Sequence, residues 1–224
     1  MQSESPKYRL FDQFAQVAKA LSHAHKLELL ELLAQGERSV EALSKVAGLT
    51  IANTSRHLQQ LRRVGLVESR KDGLYVFYRV AGDDVVDLLG SLRRTGERHI
   101  GEVTSIVTGY FGERDSLEPI SREELLRRSK AGLVTVLDVR PSEEYGNGHI
   151  PGAVNVPLEE IEQCLKGLPK NQEIIAYCRG PYCVLAFEAV AALRQNGFRA
   201  RRLEEGYPEW KAAGLPVEDV AKDA

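Results

Sequence analysis

The sequence is poor in sulfur and in long apolar runs. Three cysteines among 224 residues are too few for a disulfide framework. No apolar stretch approaches the ~18 residues that a membrane-crossing helix needs. The opening MQSESPKYRLFDQF lacks the apolar segment of a secretory signal. No membrane partner is therefore expected, and a cytoplasmic location, where thiols stay reduced, is. There is no internal repeat and no low-complexity tract. Nor is there a strong excess of one charge: the formal net charge is −2. That balance hides a local basic run, Arg56, Arg62, Arg63, Arg70, Lys71 and Arg79, interrupted only by Glu68 and Asp72. Such a run attracts a polyanion, while the C-terminal half does not.

What is present divides into two grammars. Up to residue 111 the pattern is mainly helical. YRLFDQFAQVAKAL places apolar residues at 10, 11, 14, 17, 18 and 21, and HKLELLELLAQ follows, ending at Gly36. His23 and His25 are expected on different sides of a helix. Ser39 can cap SVEALSKV, and Thr50 can cap IANTSRHLQQLRRV, which Gly65 terminates. Two short helices around a glycine-containing turn predict a helix-turn-helix. LVESRK and LYVFYRV then predict a two-stranded ribbon turning at Asp72-Gly73 in a type I′ turn. From Asp83 a long helical phase runs through Gly96 and Gly101 to Tyr110, and with the first helix it predicts a dimer interface. Residues 112–118 predict a linker and 220–224 a tail. Between them, 119–219 alternate strands (LVTVLDV, AVNVP, EIIAYC, RARRLE) with helices, the mark of a parallel sheet covered by helices.

The stretch LLELLAQGERSVEALSKVAGLTIANTSRHLQQLRRVGLVESRKDGLYVFYRV resembles the ArsR/SmtB family of winged helix-turn-helix repressors. The resemblance implies a mainly α winged helix-turn-helix with a β-ribbon wing over residues 1–111, homodimeric and bound to a palindromic double-stranded DNA operator. On the helix 51–64, Leu58 and Leu61 face inward, which leaves Asn53, Ser55, Arg56, His57, Gln59 and Gln60 largely outward. Amides and guanidinium groups at these positions suit base edges. Arg62, Arg63, Arg70 and Lys71 suit phosphates, which position the protein without reading sequence. Many relatives sense metals, but here no metal site and no cofactor is expected. The helix before the recognition helix has no cysteine, and His99 and Glu102, with Asp83, Asp84 and Asp87, lack a second histidine one repeat earlier, where Leu88 stands.

In AYCRGPYCVLA, residues 176–186, two cysteines lie five positions apart around Gly-Pro, open to a disulfide, a metal or sulfur chemistry. VLDVRPSEEYGNGHIPGAVNVPL, this cysteine loop and LEEGYPEWKAAGLPV resemble a single rhodanese domain over 119–219, an α/β fold with a parallel sheet. The resemblance implies Cys178 as the nucleophile that carries sulfane sulfur as a persulfide. A helix beginning at Pro181 and the neighbouring Arg179 would lower its thiol pKa. Asp138 and Arg140 match the family's Asp-x-Arg and are expected to orient the loop; His149 and Gly152 are expected to shape a turn, and Trp210 to pack the closing helix. The loop departs from the family pattern: Pro181 removes an N–H from the anion cradle and Cys183 replaces a hydroxyl or basic residue. Val184 stands where a phosphatase-type loop needs arginine.

Together these readings predict a homodimeric repressor in which Cys178 persulfide, resolved by Cys183, senses a sulfane-sulfur donor or small oxidant. The alternatives are a DNA-tethered sulfurtransferase and a metal-responsive repressor.

Overall fold

The computed structural model describes residues 5–111 and 119–219. The predicted linker and tail lie outside the described residues. The chain forms two compact units, residues 1–86 and 87–224.

In the first unit, helix α1 (Pro6–Leu21) starts at Ser5, whose hydroxyl accepts from the Tyr8 amide, and α2 (Ala24–Ala34) follows. The strand β1 (Arg38–Ser39) leads into α3 (Val40–Val46), and Thr50 caps α4 (Ile51–Arg63). Ser39 and Thr50 accept from the Ala42 and Asn53 amides, each supplying one of the partners a helix start lacks. The α3–α4 pair is the helix-turn-helix. Strands β2 (Val67–Asp72) and β3 (Tyr75–Val80) form the ribbon, and β1 adds to it in the antiparallel order β1-β3-β2. Leu29, Leu30, Leu33, Leu43, Leu58 and Leu61 fill the core beneath.

Three local expectations are corrected here. The ribbon turns one residue later than predicted: Asp72 pairs with Tyr75, so Gly73-Leu74 are the loop, with Gly73 at φ 59°. A glycine first and an ordinary residue second is the II′ arrangement, and it lets the whole of β2 pair. His23 is the N-cap of α2, not a helical residue, so its ring lies beside that of His25, 5.3 Å between centroids. The long helix does break. The helix α5 (Asp83–His99) ends at an extended Ile100, after which come α6 (Gly101–Ile106) and a π-helical turn, Val107–Phe111. Glycines on both sides make the interruption cheap, and the Thr104 hydroxyl takes up the Glu97 carbonyl that it exposes.

The second unit contains a four-stranded, all-parallel sheet in the order β5-β4-β6-β7: β4 (Val134–Asp138), β5 (Val154–Asn155), β6 (Glu173–Tyr177) and β7 (Ala200–Arg202). Helices α7 (Arg122–Lys130), α8 (Ser142–Gly146), α9 (Ile161–Cys164), α10 (Val184–Gln195) and α11 (Tyr207–Ala212) cover it. The alternation of β6 sorts two cores. Ile174, Ala176 and Cys178 pack with Ala189, Val190 and Leu193 of α10; Ile175 and Tyr177 pack on the other face with Leu125, Tyr207 and Trp210. Trp210 is buried and its indole N–H donates to the Pro216 carbonyl, so it anchors the closing segment. Cys164, a free thiol, packs at the edge of the α10 core. Among the described residues no helix is long and apolar enough to cross a membrane.

Candidate functional site

The recognition helix α4 is amphipathic in the predicted sense. Leu58 and Leu61 are fully buried, as is Thr54, whose hydroxyl donates to the Thr50 carbonyl. Asn53, Arg56, Gln59 and Arg63 are exposed, with Ser55, His57 and Gln60 half-buried beside them. Gln59 donates to the Ser55 hydroxyl at 3.3 Å. On the wing, Lys71 is exposed. Arg70 is engaged: it donates to Glu37 at 2.8 Å and Asp72 at 2.9 Å and lies over the Phe77 ring. Arg79 likewise pairs with Glu68. Much of the wing's basic charge is thus balanced locally, which leaves the α4 face and Lys71 as the cationic surface. His99 and Glu102 are exposed, and among the described residues no group of three or more His, Cys, Asp or Glu side chains is arranged to hold a metal.

The cysteine loop leaves the end of β6. The Cys178 carbonyl accepts from the Tyr207 amide at 3.0 Å, and the side chain is 1% exposed. The Cys183 amide donates to the Gly180 carbonyl at 3.1 Å, closing a turn over Gly180–Cys183 with Pro181 second. Proline presets that position. The helix therefore starts at Val184, with Cys183 as its N-cap, and not at Pro181 as the sequence suggested. The two cysteines are joined as a disulfide, with Cα atoms 6.1 Å apart. That separation falls within the ~4.4–6.8 Å that a bridge spans.

Arg179 does not present a free charge to the sulfur. Its guanidinium forks onto Glu144 of α8 at 2.6–3.0 Å, and Glu144 is fully buried. Two acidic residues follow the Asp-x-Arg motif in sequence; only the fold shows that Glu144 is the one holding the loop.

Asp138 and Arg140 are both fully buried. The Arg140 guanidinium donates to both Asp138 oxygens, as close as 2.6 Å, and to the Gly148 carbonyl at 2.8 Å. The Tyr177 hydroxyl donates to Asp138 at 2.5 Å and accepts from the Ile150 amide. Burial acts to lower the Arg140 pKa, but the hydrogen bond and charge of Asp138 outweigh it, so the guanidinium stays charged. Burial and the Asp138 charge push the Tyr177 phenol far up, keeping it a donor. The pair thus fixes Tyr177, the residue before Cys178, together with the turn where His149 stacks on Tyr145 and Gly152 adopts φ 73°.

Three further contacts link segments distant in sequence. Gly206 lies against the loop, where a Cβ would come within 2.4 Å of the Arg179 carbonyl carbon and the Gly180 nitrogen. Gly206→Ala is accordingly expected to displace the loop and cost ~1–3 kcal/mol, read from chemical unfolding. The Tyr182 hydroxyl, between the two cysteines, donates to Glu97 of α5. One turn earlier on the same helix, Arg93 pairs with Glu209 at 3.0 Å.

With these features in place, comparison with known proteins is specific. Residues 24–69 match the bacterial regulatory protein, arsR family, and 121–213 match the rhodanese-like domain. The HTH-type transcriptional regulator Rv0324 of Mycobacterium tuberculosis is 45% identical over 215 residues, covering 96% of this chain and 94% of its own. A sulfurtransferase of Allochromatium vinosum is 32% identical over 85 residues, 38% of this chain and 78% of its own. The homodimeric winged helix-turn-helix domain Mb0332 of Mycobacterium bovis is 41% identical with a TM-score of 0.41, covering 43% of this chain and 90% of that one. The chain belongs to the arsR family of bacterial transcriptional regulators, in a form that carries a C-terminal rhodanese-like domain.

Proposed function

We propose that this regulator is a homodimeric repressor that senses sulfane sulfur or a small oxidant through Cys178 and Cys183. The observation that carries the reading is the pairing of the two loop cysteines, Cα atoms 6.1 Å apart. The chemistry balances. The Cys178 thiolate takes the outer sulfur of a persulfide donor RSSH and releases RSH. The Cys183 thiolate then attacks the Cys178 sulfur and expels hydrosulfide, leaving the disulfide; the sulfane sulfur is the oxidant. A peroxide would reach the same bridge through a Cys178 sulfenic acid, with water lost.

The dimer is supported by the apolar face of α1: Leu10, Phe11 and Phe14 are each more than half exposed, Phe14 at 62%. Unpartnered aromatic surface of this kind marks an interaction face. DNA reading rests on the exposed face of α4. Arg56→Ala is expected to weaken operator binding by ~1–3 kcal/mol and relax specificity. Lys71→Ala is expected to weaken all sequences alike and to reduce the salt slope by about 1. Titrating operator and scrambled duplex at several salt concentrations separates the two.

The route from loop to DNA runs through Tyr182. Its hydroxyl bonds Glu97, and the helix that carries Glu97 runs unbroken from Asp83, just after the wing. Tyr182→Phe is expected to bridge normally by intact mass yet lose most of its change in operator affinity. A full response in this variant would remove Tyr182 from the route.

A further inference from the structure

Three of the five histidines gather at the recognition helix. The His23 and His57 rings are 4.7 Å apart, His23 and His25 5.3 Å, and His25 and His57 6.2 Å. They line a groove of about 750 Å³ bounded by the end of α1, the start of α2 and one side of α4. Lys19, Lys26, Arg56 and Arg63 also line it, and Lys26 is buried. No carboxylate is among the lining residues; Glu28, which is not one of them, meets His25 at 3.4 Å. Nδ1 of His57 is buried and has no hydrogen-bond partner. Asn53 and Gln60 add amides. So many donors and cations, with Glu28 the one carboxylate that meets any of them among the described residues, form a place for an anion, and the start of α2 adds its partial positive charge.

We propose that this groove binds a phosphoryl anion, and that the His57 imidazole takes up a proton when it does. The ligand chemistry is that of a phosphate group, supplied by the DNA backbone or by a free phosphorylated molecule; the position beside the DNA-reading face favours the backbone. The inference rests on DNA binding alone and is independent of the cysteine chemistry.

The linkage has a definite sign. Burial first, and then the charges of His23, Lys26, His25 and Arg56, hold the His57 imidazole below its ordinary range in the free protein. Lys19 and Arg63 face the same space. A phosphate brought among these groups stabilises the protonated His57 ring, so binding takes up a proton. Affinity must then rise as pH falls, by up to about tenfold per pH unit for the proton taken up.

The test uses the full chain. Operator affinity is measured from about pH 6 to about pH 8, where imidazole titrates, at constant ionic strength. The imidazole proton resonances of the unmodified protein are followed as operator, or inorganic pyrophosphate, is added. The expected result is tighter binding at lower pH, with an upward shift in the titration of His57. His57→Gln should flatten the dependence. Shifts with operator alone assign the groove to backbone phosphates. Shifts with pyrophosphate, together with competition against operator, assign it to a free phosphorylated ligand as well. Affinity independent of pH, with imidazole resonances unmoved by either probe, overturns the proposal, and it does so whether or not a variant folds poorly.

Discussion

Operator binding by Cys178→Ser is expected not to respond to a sulfane-sulfur donor that shifts the unmodified protein by 5- to 150-fold, the usual range of allosteric coupling. The reduced protein should gain ~32 Da steps, and this variant should lose persulfide and bridge together, because the resolving step needs sulfur already on Cys178. Cys183→Ser should keep the added sulfur, lose the bridged product that lacks two hydrogens, and lose the response. Intact mass and operator titration on the same samples check each step. A normal response in Cys183→Ser would make the persulfide itself the signal. If neither variant alters DNA binding while Cys178 still turns over donor, the rhodanese-like domain is an enzyme carried on a DNA-binding chain, and the sensor reading falls. The geometry adds one constraint. Cys178 is 1% exposed in the bridged state, so the sensor reading requires the loop to open, once reduced, for a donor to reach the sulfur.

The second large effect is on folding. Asp138→Ala should destabilise the second unit by ~3–5 kcal/mol, because it removes the carboxylate paired directly with the fully buried Arg140. It also removes the acceptor that holds the Tyr177 hydroxyl, so the end of β6 and the start of the cysteine loop loosen together. Denaturant unfolding followed by Trp210 fluorescence reports this unit, since Trp210 is the chain's single tryptophan and packs in the same core as Tyr177. Replacing both partners, Asp138→Leu with Arg140→Met, should recover much of the loss, as apolar replacements of buried ion pairs often do. If Asp138→Ala unfolds like the parent, the pair carries no structural weight, and its role would have to be sought in the loop's chemistry.

How much was legible beforehand depended on the range of the interactions. Ser39 and Thr50 cap their helices as their spacing implied, each through a bond to an amide three residues on. The apolar periods placed Leu58 and Leu61 inward and separated helices from strands, because side-chain direction repeats within a turn or two residues. The two families were readable because their motifs are dense and ordered. The misses were of two kinds. Small local competitions went the other way: the ribbon turned at Gly73-Leu74, the long helix broke at Ile100, and α10 began at Val184. The rest depended on the fold. Arg179 meets Glu144 across 35 residues, Tyr182 meets Glu97 across 85, and His57 meets His23 between two helices. Local spacing was enough for the type and order of most elements and for the two-part architecture, because caps and apolar periods act within a few residues. Which charge neutralises Arg179, what touches the loop and where the imidazoles gather depend on packing between distant segments. Those pairings require strands and helices far apart in the chain to be brought side by side, and no local pattern encodes their register.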